Sequence, residues 1–164
     1  MIEKYFKRPL LYDYTLGFLL CALVRYLNLT CLIDLPSIDS TLSTTTDLAT
    51  IALTLAGFVL TLLTVLITFK TGARIPNGKQ NEDIPLFDLF FSTNLYFKTI
   101  DLLKGCIKSL VFVAVLGFSL KLFVNVDYIK YIFFANILGL IIIVTTLWRS
   151  LLILTKIVGL QKET

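Results

Sequence analysis

The chain has 164 residues, of which 57% are hydrophobic and 16% charged, with a mean hydropathy of +0.86 and a net charge of +4. Soluble domains carry about a quarter charged residues, so this balance excludes an ordinary soluble fold, a disordered chain and a nucleic-acid module. There is no histidine, which removes the commonest general base, metal ligand and pH switch.

The apolar residues gather into four segments, about 10–33, 47–70, 105–126 and 131–154. Each is long enough to cross a membrane, which takes roughly 20 mostly apolar residues. They predict an all-α, polytopic membrane protein with four transmembrane helices, forming one membrane domain over residues 1–164.

The first segment follows a basic stretch and imitates a signal peptide. Asp13 interrupts its apolar part and no small-residue cleavage site follows, so it reads as a retained first span. Asp13, between Tyr12 and Tyr14, is expected at the inner interface. Arg25 lies past the middle of the span; an intramembrane charge there calls for an ion-pair partner or for snorkelling to the outer headgroups. Cys21, Cys31 and Cys106 have no CxxC spacing and lie in apolar stretches, so they are expected as small buried hydrophobes. The loop DLPSIDSTLSTTTD follows.

Span two carries a polar stripe: Asp47, Thr50, Thr54, Gly57, Thr61, Thr64 and Thr68, at spacings alternating three and four. At 100° per residue, the threonines and Gly57 fall within an arc of about 80°. Ala49, Ala52 and Ala56 form a small-residue strip beside it. Two readings of the stripe stay open. Threonine and small residues are enriched where membrane helices touch. Copies of span two arranged around an axis would instead offer hydroxyls to water or an ion, with an Asp47 ring conferring cation preference at the mouth.

The segment 71–104 is predicted as a cytoplasmic loop, with a turn at 76–79 and a short interfacial helix at 84–91. Ser92 suits a cap for a helix running through Asn125. At about 50 Å this helix exceeds the bilayer core, so its first turns would stand in the cytoplasm. Asn94, Lys98, Asp101 and Lys108 share one side of those turns and form a candidate surface for a cytosolic partner. Further along, Ala114, Gly117, Lys121 and Asn125 share a face, with Lys121 expected to snorkel outward. After a tight turn, span four continues past Trp148 and Arg149, which read as inner-interface anchors. Spans three and four therefore extend into the cytoplasm as a hairpin. Ala135, Gly139 and Thr146 form a small face suited to helix contact.

Basic residues set the direction. Lys4, Lys7 and Arg8 precede span one; Lys70, Arg74, Lys79, Lys98 and Lys104 lie between spans two and three; Arg149, Lys156 and Lys162 end the chain. Asp34, Asp39, Asp47 and Asp127 occupy the other side. The positive-inside rule predicts cytoplasmic termini in a cell inner (plasma) membrane. No metal, cofactor or catalytic motif appears, so neither an enzyme nor a cofactor is expected.

The GFVLTLLTVLITFK of span two, the FFSTNLYFKTIDLLK lead-in to span three and the LWRSLLIL of span four make a short N-in, four-span chain. It resembles the small four-helix membrane proteins of bacterial anti-phage defence systems, of the Kiwa membrane-subunit type. The likeness is one of architecture and covers most of the chain. It implies an oligomeric membrane component working with a cytosolic partner. The residues themselves support two functions. One is a homo-oligomer with an ion-permeable path lined by helix two. The other is a non-conducting scaffold or sensor that recruits a cytosolic protein. Membrane lipid is a partner in either case, and direct nucleic-acid binding is not expected.

Overall fold

The structure, a computed structural model, describes residues 9–32, 34–72, 94–123, 125 and 128–162. These form four helices: α1 (Pro9–Leu29), α2 (Ile38–Gly72), α3 (Asn94–Phe123) and α4 (Ile129–Lys162). Three stretches are long and apolar enough to cross a membrane, Ile38–Lys70, Tyr96–Phe123 and Ile129–Gly159. The turn expected at 76–79, the interfacial helix at 84–91 and the cap at Ser92 lie outside the described residues.

α2 starts nine residues earlier than the apolar pattern predicts, and the Ser/Thr-rich loop forms its first turns. Ser37 caps it: its hydroxyl accepts from Ser40 N at 3.4 Å and its carbonyl from Thr41 N at 3.0 Å. Asp39 in the first turn complements the helix dipole. Thr41, Thr44, Thr45 and Thr46 each donate to the carbonyl four residues back, so their hydroxyls are satisfied within the helix.

α1 ends at Leu29, short of the expected residue 33, because a Schellman turn closes it. Leu32 N donates to Leu27 O and Cys31 N to Asn28 O, both at 3.1 Å. Cys31 takes the left-handed position with φ 56° and is exposed. This corrects the expectation that all three cysteines are buried. A turn residue outside the helix has no core to enter, while Cys106 is buried and Cys21 half-buried.

α2 and α3 run antiparallel in a register held along their length. Near one end Lys70 Nζ lies 4.4 Å and 4.0 Å from the ring centres of Tyr96 and Phe97. Towards the other, Gly117 lets α3 approach Ala49 so closely that a Cβ there would lie 3.1 Å from the Ala49 Cβ. Lys121 Nζ, expected to snorkel outward, donates to Thr46 Oγ1 at 2.7 Å, a contact available because α2 begins before Thr46. The alanine strip is buried, and Val59, Leu63 and Leu66 continue it into a core with Leu103, Leu110 and Ile142. α4 packs against the other three helices, and Gly139 lies against Val113 of α3. α1 packs chiefly on α4, with Gly17 against Leu138.

Candidate functional sites on the bundle surface and in its interior

The polar stripe of α2 lies on the surface of the chain. Asp47, Thr50, Thr54, Gly57, Thr61, Thr64 and Thr68 are all exposed. The buried positions, Ala49 to Leu66, lie roughly 150° around the helix, so the stripe faces almost directly away from the core. It makes no packing contact that a Gly57 side chain would disturb: a Cβ built there meets nothing within 4 Å. Each of the five stripe threonines donates to the carbonyl four residues back at 2.9–3.0 Å. Donation to the backbone leaves each hydroxyl oxygen able to accept from outside.

The interior holds charges that the apolar pattern misplaces. Arg149 Nη1 of α4 donates to Asp13 Oδ2 of α1 at 2.9 Å, with the side chains 1% and 3% exposed. Arg149 Nε donates to the Cys106 thiol of α3 at 3.3 Å. Asp13 and Arg149, expected at the inner interface, are turned into the bundle, where together they tie α1, α3 and α4. Cys106 lies roughly 15 Å along α3 from Tyr96 and about as far from Gly117, so the pair sits midway between those two contacts. Thr146, one turn before Arg149, is fully buried, and its hydroxyl finds no partner among the described residues.

Arg25 is exposed, and no ion pair involves it among the described residues. Two contacts fix its height. The Cys21 thiol reaches Phe134 O at 3.4 Å, and Asn136 Nδ2 donates to Thr41 O at 3.1 Å. These contacts set Cys21 roughly level with Thr41, and Arg25 one turn beyond, beside the start of α2. The sequence spacing alone puts it deeper because it takes the first span to continue to residue 33.

On α3, Asn94, Lys98, Asp101 and Lys108 are all exposed, as is Lys104. A shallow groove of about 370 Å³ opens between α1 and α4, lined by Tyr12, Asp13, Thr15, Leu16, Leu19 and Thr145. The Asp13–Arg149 pairing went unread in the sequence. Its signal was present: two opposite charges, each interrupting an apolar run, are expected to find one another inside a membrane bundle.

Helices of this length and apolarity define a multi-pass, all-helical integral membrane protein. Comparison with known proteins finds no matching family, no matching curated protein and no matching solved structure.

Proposed function

We propose that the chain crosses a bacterial inner membrane four times with both termini cytoplasmic, and assembles as a homo-oligomer around an ion-permeable path lined by α2, as a component of anti-phage defence. One observation carries the path reading: the face of Thr50, Thr54, Gly57, Thr61, Thr64 and Thr68 is exposed and turned away from the subunit's own core. Packing within one subunit therefore does not explain the stripe, which supports a reading in which it meets a neighbouring copy or an axial path. The inward acceptor oxygens and Asp47 at one end suit a cation. The close association of α1 with α4, which is apolar enough to span, supports a fourth crossing. The bias of basic residues toward the Lys70 end and of Asp34, Asp39 and Asp47 toward the other supports the orientation.

Bilayer conductance combined with sizing of the purified complex tests this. Thr61→Leu is expected to abolish conductance while leaving the complex intact, Thr61→Ser to preserve it, and Asp47→Asn to weaken cation preference. If Thr61→Leu breaks the complex instead, the stripe is a packing seam between copies. If it changes neither conductance nor size, the stripe faces lipid and the reading fails.

A further inference from the structure

The bundle is lopsided at its Lys70 end. The register of α2 on α3 sets Lys98, Asp101, Lys104 and Lys108, all exposed, at the height of α2 residues 58–69. At that height α2 turns Phe58, Leu60, Val65, Ile67 and Phe69 outward, beside threonines bonded to their own backbone. The Arg149–Cys106 contact sets α4 in the same frame, and beyond it α4 exposes Leu151, Leu152 and Val158. Two helices thus present largely apolar surfaces where the third presents charge.

The uncharged stretch of α3 between Lys108 and Lys121 is only about 18 Å long, whereas that of α2 between Asp47 and Lys70 is about 33 Å. A bilayer core is roughly 30 Å thick. A membrane fitted to α2 therefore surrounds the α3 lysines with acyl chains, unless something polar meets them. A cytosolic protein does not reach that depth beside the exposed apolar face of α2. Among the described residues a second copy offers no complement at that height: apart from Asp101, their exposed acidic residues are Asp34, Asp39 and Asp47, all toward the opposite end. Phospholipid headgroups have the right charge and are mobile enough to follow a short apolar face inward, since bilayers thin around such faces.

We propose that Lys98, Lys104 and Lys108 form a lateral docking strip for the phosphates of anionic phospholipids, drawing headgroups down along α3 and thinning the bilayer on that side alone. The strip is independent of any α2-lined oligomer and stands or falls separately from it.

Native mass spectrometry of the full chain in detergent, titrated with phosphatidylglycerol or phosphatidylcholine, tests the strip. Wild type is expected to retain phosphatidylglycerol preferentially, with the preference falling as salt rises. Lys98→Gln, Lys104→Gln and Lys108→Gln should each cut that preference roughly fivefold. The corresponding Arg variants should keep it, and Lys130→Gln, at the other end, should not touch it. Equal retention of the two lipids, or a triple Gln variant that keeps the preference, overturns the proposal. Loss of bound lipid to inorganic phosphate would mark a free-anion site instead, and a changed oligomer mass with unchanged lipid retention would mark a protein interface; either overturns it. If the Gln variants do not fold, the wild-type salt titration decides alone: a preference insensitive to salt overturns the strip.

Discussion

Asp13 and Arg149 lie 136 positions apart in the chain and 2.9 Å apart in the bundle, each almost sealed from its surroundings. Removing one partner of such a pair leaves the other charge buried and uncompensated, at a cost of about 3–5 kcal/mol. Asp13→Asn and Arg149→Met are therefore each expected to lower unfolding stability in detergent by that amount. The double variant Asp13→Leu with Arg149→Met should recover most of the loss, because two apolar side chains carry no desolvation penalty. Arg25→Leu, at an exposed site, should stay within about 0.5 kcal/mol of wild type. Denaturation across the double-mutant cycle measures the coupling; two neutral single variants would show the pair to be energetically idle.

Two glycines should respond in opposite senses. Gly117 lies where a Cβ would come within 3.1 Å of Ala49, so Gly117→Val overpacks the α2–α3 seam and is expected to cost about 1–3 kcal/mol. Gly57 meets nothing, and Gly57→Ala should raise subunit stability by up to about 1 kcal/mol through helix propensity. Thermal melts of the two variants check the contrast, and a destabilised Gly57→Ala would mean that the face is already occupied by a neighbour.

Cys31 holds a left-handed backbone conformation, which costs a non-glycine residue roughly 1 kcal/mol. Cys31→Gly is expected to return about that much, without change elsewhere. The exposed Cys31 should also react with thiol reagents in the native protein, whereas buried Cys106 should react only on unfolding. In intact cells an impermeant reagent should reach Cys31 if both termini are cytoplasmic. Protection of Cys31 in cells, with labelling restored on permeabilisation, would reverse the orientation.

Thr146 buries a hydroxyl that has no partner among the described residues. An unmade hydrogen bond of this kind costs about 1–3 kcal/mol. Thr146→Val replaces the hydroxyl with a methyl of similar volume and is expected to stabilise the bundle by about 1 kcal/mol. A loss of stability on calorimetry would instead show that the hydroxyl is satisfied in the membrane-embedded protein.

Much of the helical layout was legible because it is written at the scale of one or two turns. The run from Leu48 to Phe69 carries no charge and is apolar apart from its five threonines and Gly57, and the continuation of α4 past Arg149 follows from SLLILTKIVGL. The start of α2 was not legible in this way. Ser and Thr favour loops in a polar setting, yet with Ser37 as cap and each threonine bonded back to the helix they extend it instead. The first helix shows the converse: Asp13 and Arg25 look alike as charges in an apolar run, but one is buried and paired and the other exposed.

By itself, the sequence determined that the chain is a bundle of long apolar helices and that α2 has two unlike faces, alanine on one side and threonine on the other. Both are properties of local periodicity, and a 3.6-residue repeat needs no other helix to define it. Only the tertiary structure decided which face is the core, that Arg149 belongs to Asp13, that Arg25 stands level with the start of α2, and that the α3 lysines lie beside the apolar side of α2. Those relations depend on axial register between helices. Close contacts such as Ala49 with Gly117 and Gly17 with Leu138 define that register here, at points where small side chains let backbones approach. A shift of one helix along another changes every such pairing and leaves each helix's own pattern untouched.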